Sequence, residues 1–180
     1  MASRLRRTAS TVVHMASKEL IPKVSPKNKL PDNNLALASI FHRMADCYRY
    51  LGKEERFRAI AYENVAKMLH NMKEDIAAYA TDIKSLDEIK GIGESIAEKI
   101  IEYLHTGKIK TFEQLKKQVP YKLLELMDIT GFGPATLKIL HQKLHISKKE
   151  DLIKALEECK LNELKGFGEK KIENMKRALK

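Results

Sequence analysis

An all-α fold is predicted, on three observations. From Asn34 onward apolar residues recur at helical spacing, and no segment alternates convincingly as a half-buried strand does. A Gly-x-Gly turn flanked by helical patterns occurs three times, at Gly91-Ile92-Gly93, Gly131-Phe132-Gly133 and Gly166-Phe167-Gly168. Each copy has an apolar residue two places before its first glycine (Ile89, Ile129, Leu164), and three such coincidences are hard to ascribe to chance.

Residues 1–34 lack sustained periodicity. They hold Arg4, Arg6, Arg7, Lys18, Lys23, Lys27 and Lys29 against Glu19 and Asp32, and Pro22, Pro26 and Pro31 break the second half. This is the pattern of a flexible basic arm that adds nonspecific attraction to nucleic acid. The same Arg-rich, acid-poor composition is also that of an organelle transit peptide.

A small helical bundle is expected over 35–107. Leu35, Ala38, Ile40, Phe41, Met44, Ala45, Tyr48 and Leu51 form one apolar stripe, which Gly52 ends. Phe57, Ile60, Ala61, Val65, Met68 and Leu69 form a second, and Ile76, Ala77, Tyr79 and Ala80 a short third. Leu86 leads into the first Gly-x-Gly turn, and Ile96, Ile100 and Leu104 follow it until Thr106-Gly107-Lys108. Residues 108–180 repeat the theme. Phe112, Leu115 and Val119 mark a helix stopped by Pro120, and Leu123, Leu124 and Leu126 precede the second turn. Leu137, Ile139, Leu140 and Leu144 follow it, Leu152, Ala155 and Leu156 lie on the next helix, and Leu161 and Leu164 enter the third turn.

Composition narrows the partner. The chain carries 34 Lys+Arg against 24 Asp+Glu, a net charge of +10, which favours an acidic polymer. Cys47 and Cys159 lie in helical patterns without a CxxC pairing, as expected of reduced thiols in an intracellular protein (cytoplasm or nucleoid, or a eukaryotic nucleus or organelle). No apolar run is long enough to span a membrane.

The turns themselves suggest the chemistry. Two glycines allow positive φ and close approach of a ligand. The apolar residue between them (Ile92, Phe132, Phe167) plugs the space between two helices. The following helix then offers unpaired N–H groups and a positive dipole end, which suit a phosphate oxygen. Pro134 fits the first helical position. The predicted nucleic-acid contacts are therefore Gly91, Gly93 and Ser95, then Gly131, Gly133 and Lys138, then Gly166, Gly168, Lys170 and Lys171, with Lys90 and Lys165 just ahead of a first glycine. Backbone amides and lysines read phosphates and carry no sequence information, so recognition is expected to follow shape and ends: gaps, nicks and junctions. Such readout accepts RNA as well as DNA. His141 and His145 stand four apart as helical metal ligands would, but no third ligand is evident, and they are read as helix-end histidines.

The segment from Asn34 to Lys180 resembles the amino-terminal half of family X DNA polymerases, bacterial type. The resemblance rests on Phe57-Arg58-Ala59-Ile60-Ala61-Tyr62, on Gly91 to Ile100, on Thr106-Gly107-Lys108, on Gly131-Phe132-Gly133-Pro134 and on Leu164 to Lys170. It implies a lyase-type helical domain followed by a helix-hairpin-helix fingers-like domain, together gripping DNA backbone in repair, beside other repair proteins. The polymerase palm of that family has no counterpart here, and the chain has no Asp-x-Asp, so nucleotidyl transfer with two magnesium ions is not expected of it. Met1 and the basic arm favour a stand-alone protein over a fragment.

The resemblance also implies site residues. Lys99 matches the lysine that forms a Schiff base in relatives with 5′-deoxyribose phosphate lyase activity, which needs a lowered amine pKa. Glu98 matches a glutamate near that site, Tyr62 a tyrosine lining its pocket, and Arg58 falls at a basic position. Ser95 and Asp87 stand where lyase-active relatives carry lysine, which thins the 5′-phosphate pocket. No cofactor is required, but hairpins of this family often hold a monovalent cation such as Na or K through backbone carbonyls. By position those belong to Asp87, Ile89 and Ile92, and to Met127, Ile129 and Phe132. Three readings follow: a DNA-binding repair protein, a lyase acting through Lys99, and a helical protein-interaction module whose hairpins serve structure alone.

Overall fold

The computed structural model describes residues 33–179; the basic segment read in the sequence lies almost wholly outside them. Among the described residues every regular element is helical, as the periodicity predicts. In chain order the α-helices are α1 (Asn33–Leu51), α2 (Arg56–Asn71), α3 (Ile83–Asp87), α4 (Glu94–Thr106), α5 (Lys110–Gln118), α6 (Tyr121–Leu124), α7 (Pro134–Leu144), α8 (Lys149–Glu157) and α9 (Glu169–Ala178).

The long α1 is the central element. It packs along α2 and also touches α4, α5, α6 and α7, so it is covered on several sides. Its buried residues therefore exceed one stripe: Leu37, Cys47 and Tyr50 are buried beside the expected Phe41, Met44, Ala45 and Tyr48, while Leu35 is exposed. The Cys47 thiol is pushed up to about 12 by burial. Asn34, at the start of α1, is buried as well. Its Oδ1 accepts from the Ile76 N–H at 2.8 Å and its Nδ2 donates to the Glu74 carbonyl at 2.7 Å, which pins the loop after α2.

Two expectations about α2 and its sequel are corrected. The second helix forms as expected, but Phe57 and Ile60, on its apolar stripe, are 84% and 44% exposed. The buried face of α2 is Ala59, Tyr62, Val65, Ala66 and Leu69, and Phe57, in the first turn, lies away from it. The expected helix around Ile76–Ala80 is only a single 3-10 turn, Ile76–Ala78, with just Ile76 buried. Asp75 caps it, accepting from the Ala77 N–H at 2.9 Å.

Elsewhere the expected apolar positions form the core, which runs as one cluster from Leu37 to Leu179. Phe112, Leu115, Leu123, Leu124, Leu126, Leu137, Leu140, Leu152, Leu156 and Leu161 are all buried in it, whereas Ile139 is exposed. α5 ends at Gln118, two residues before Pro120, and Gly107 (φ 70°) closes α4 in the left-handed region.

Candidate nucleic-acid interface

The three turns share one construction. The first glycine has φ of 99°, 98° and 87° at Gly91, Gly131 and Gly166, a region that L side chains rarely adopt. The middle N–H donates back to the carbonyl of the preceding apolar residue: Ile92 to Ile89 at 2.9 Å, Phe132 to Ile129 at 3.1 Å, Phe167 to Leu164 at 3.1 Å. The middle side chain is buried each time, which is the plug the sequence predicts.

The second glycine behaves differently from the first. Gly93, Gly133 and Gly168 sit at the N-caps of α4, α7 and α9 with φ of −100°, −65° and −66° and extended ψ. Any residue adopts that conformation, and a Cβ built there meets nothing within 4 Å. Among the described residues, neither backbone conformation nor crowding requires glycine at these three positions. Its absence of a side chain leaves the helix N-terminus without a capping acceptor and open to the outside.

The second and third turns open on one groove of about 760 Å³, whose lining includes Thr130, Gly131, Gly168, Lys170, Asn174 and Arg177. Of the predicted lysines, Lys90, Lys165 and Lys170 are exposed, and among the described residues none of the three has an ion pair or side-chain hydrogen bond. Two others are engaged within the protein. Lys138 Nζ donates to the Leu51 carbonyl at 3.4 Å and lies 5.8 Å from the Tyr50 ring centre, so it turns toward the end of α1. Lys171 Nζ donates to Thr136 Oγ1 at 3.2 Å and covers the Phe167 ring at 4.1 Å, tying α9 to α7.

Around Lys99 the structure gathers part of the expected set. Its Nζ donates to the Ser95 carbonyl at 2.8 Å and to Ser95 Oγ at 2.9 Å. Partial burial lowers its pKa; the carboxylates of Glu98 and Glu102 oppose this and the Arg58 charge adds to it. Arg58 itself pairs with Glu55 at 3.1 Å and lies 5.8 Å from the Tyr48 ring centre. Tyr62 is buried. It is 7% exposed, stacked on Tyr48 at 5.4 Å and tilted against Phe41 at 5.7 Å, and burial raises its phenol pKa. At the hairpins, the carbonyls of Ile89 and Ile129 each accept one turn amide, which occupies one of two lone pairs and leaves the other. His141 Nδ1 lies 3.0 Å from the Ile146 carbonyl and His145 caps α7 at φ 54°, as helix-end residues do.

One cluster escaped the sequence reading. His42 reaches Glu63 at 3.0 Å and Asp128 at 3.1 Å, Arg43 reaches Asp128 at 2.6 Å and Asp46 at 3.3 Å, and Arg49 reaches Asp46 at 2.9 Å and Glu63 at 3.2 Å. Burial works against the charges of Glu63 and Asp128, but hydrogen bonds from His42, with those from Arg49 and Arg43 respectively, outweigh it and hold both carboxyls below their ordinary values. His42, Asp46 and Asp128 have ligand atoms within 4.8 Å of one another, yet Arg43 already bridges both carboxylates. The cluster ties the root of the second hairpin, at Asp128, to α1 and α2. The spacings within α1 hinted at local pairs, but nothing in the chain pointed from His42 to Asp128.

These features define a class. Residues 32–109 match the family described as a helix-hairpin-helix domain, and residues 123–180 match the SAM-like helix-hairpin-helix tandem. The chain thus carries two helix-hairpin-helix domains and is homologous to amino-terminal regions of family X DNA polymerases. It is 30% identical over 132 residues to the DNA polymerase/3′-5′ exonuclease PolX of Bacillus subtilis (strain 168), 73% of this chain and 22% of that protein. It is 29% identical over 121 residues to DNA polymerase lambda of Arabidopsis thaliana, 65% of this chain and 21% of that protein. To DNA polymerase lambda of Rattus norvegicus it is 25% identical over 116 residues, 64% and 19%. The chain spans about a fifth of the length of these relatives.

Proposed function

We propose that this protein binds DNA through its phosphate backbone, without sequence preference, at gaps, nicks or ends during repair. The observation that carries this reading is the second glycine of each turn. Gly93, Gly133 and Gly168 need neither the φ freedom nor the room of glycine, and each stands before an uncapped helix. A ligand backbone lying against the turn supplies the missing reason. The neighbouring free cations Lys90, Lys165 and Lys170 and the helix-hairpin-helix matches support it. A monovalent cation at the Asp87/Ile89/Ile92 and Met127/Ile129/Phe132 carbonyls belongs to the same reading, as does an intracellular place of work beside DNA and other repair proteins. The relatives are DNA polymerases by name, which favours DNA over RNA. The test is fluorescence anisotropy on a labelled duplex over a series of salt concentrations. With about four phosphates neutralised, log affinity falls against log salt with a slope of roughly −3 to −4. A slope near zero refutes it.

A second reading is favoured by Lys99. Its lowered amine pKa and the nearby Arg58 charge suit a nucleophile, and a neutral amine adds to the C1′ aldehyde of a ring-opened abasic sugar, expelling water to form an imine. Loss of the C2′ proton to water, with cleavage of the C3′–O bond, then releases the downstream strand with its 5′-phosphate, and hydrolysis of the imine frees the lysine and the unsaturated sugar. Tyr62 takes no direct part in this reading, because its ring is buried; Glu98 flanks the amine as a charge. Borohydride trapping on a gapped duplex with a 5′-deoxyribose phosphate decides it: a covalent adduct lost in Lys99→Ala supports the lyase, and no adduct removes it.

A further inference from the structure

We infer that the Ser95 hydroxyl relays the protons that the Lys99 amine must give up in forming the imine, and is a catalytic residue of that step. This rests on the lyase reading above.

Lys99 Nζ meets two oxygens of one residue a turn back on α4, the Ser95 carbonyl at 2.8 Å and Ser95 Oγ at 2.9 Å. Among the described residues it has no ion pair and no other hydrogen bond. Glu98, Glu102 and Arg58 act on it only as charges. A neutral amine has two hydrogens and one lone pair. The two oxygens of Ser95 take the hydrogens, which leaves the lone pair for the aldehyde carbon. Of those oxygens the carbonyl can only accept, whereas the hydroxyl accepts and donates, and its proton rotates to suit. Ser95 is exposed, so a substrate atom can reach Oγ.

The chemistry needs such a group. When Nζ attacks C1′, its lone pair forms the N–C bond and the carbonyl π pair moves to oxygen. A positive nitrogen and a negative oxygen then stand on one carbon. Direct proton transfer between them runs through a strained four-membered ring. Ser95 Oγ widens that ring to six: it takes a proton from Nζ and passes its own to the oxygen, giving a neutral carbinolamine. A second passage closes the imine. Oγ takes the remaining Nζ proton and gives its own to the hydroxyl, which leaves as water with the C–O bond pair, while the nitrogen pair forms the C=N bond. Ser95 ends as it began, and no other acid or base is consumed.

Borohydride quenching at timed intervals measures imine formation on the gapped duplex with a 5′-deoxyribose phosphate. Protein is raised until the rate saturates, so DNA affinity drops out, and a pH series gives the limiting rate with the amine neutral. Ser95→Ala should lower that limiting rate about ten-fold, less than the roughly hundred-fold of a well-positioned proton-transfer group, because water reaches the site and stands in. Ser95→Thr, which keeps the hydroxyl, should restore most of it. A side chain that only stabilised the Lys99 ammonium would move the midpoint of the pH profile and leave the limiting rate alone. A Ser95→Ala limiting rate equal to wild type, or a Ser95→Thr rate as slow as Ser95→Ala, overturns the relay while an adduct lost in Lys99→Ala keeps the lyase. No adduct from wild type removes the lyase reading, and the relay with it.

Discussion

Replacing the two glycines of the second turn one at a time separates what the fold needs from what a ligand needs. Gly131 has φ 98°, so Gly131→Ala forces a side chain into a region that costs of order 1–3 kcal/mol. At ~2–4 °C per kcal/mol for a chain of this size, the melting temperature drops by several degrees. Gly133 has φ −65° and open space where a Cβ would sit. In Gly133→Ala two small effects oppose each other. Lost freedom of the unfolded chain favours alanine by ~0.4–1 kcal/mol. The preference for glycine over alanine at an N-cap costs about as much, so net stability stays within roughly 0.5 kcal/mol. The same methyl group points outward at the uncapped start of α7, where a phosphate would lie. Losing one hydrogen bond to a charged group is worth ~1.5–3 kcal/mol, about ten-fold or more in affinity. Urea or thermal unfolding measures the first effect and anisotropy on duplex DNA the second. The expected result is a stable Gly133→Ala that binds DNA poorly. A Gly133→Ala protein that keeps full affinity refutes the argument that glycine is there for a ligand.

Three further outcomes follow from the core and the charge cluster. Phe132→Ala removes the fully buried plug of the second hairpin and should cost about 3–5 kcal/mol in urea unfolding. Phe57→Ser, at an 84% exposed position, should leave stability within about 0.5 kcal/mol, whereas a core position would lose several times that. Burial works against a proton on His42, but its hydrogen bonds to Asp128 and Glu63 and the Asp46 and Glu63 charges outweigh it, leaving its pKa above the ordinary 6.5. The stability this contributes is fully present below pH 6.5 and is lost as pH rises through the folded value. His42→Gln should therefore flatten that part of the stability–pH curve, measured by urea unfolding at a series of pH values.

Local chemistry written along the chain determined the helical class, the three turns and their middle plugs. Gly-x-Gly spacing and helical periodicity act over a few residues, so the sequence displays them directly. Lys99, six residues after Gly93, stands out by family resemblance and not by local chemistry. What tertiary structure decided is everything that depends on which helices meet. α1 is covered on several sides, so burial of Leu37, Cys47 and Tyr50 does not follow from a single stripe. Phe57 has the same hydrophobicity inside or outside, and only the direction of α2 against α1 left it in solvent. Tyr62 reads as a site residue by motif, yet it stacks on Tyr48, from another helix. Lys138 and Lys171 look like free cations until Leu51 and Thr136 arrive from other elements. The second glycines divide between the two levels. Their presence is sequence, but the finding that neither backbone conformation nor crowding calls for glycine there required φ and the empty space around each Cα, which exist only once the chain has folded.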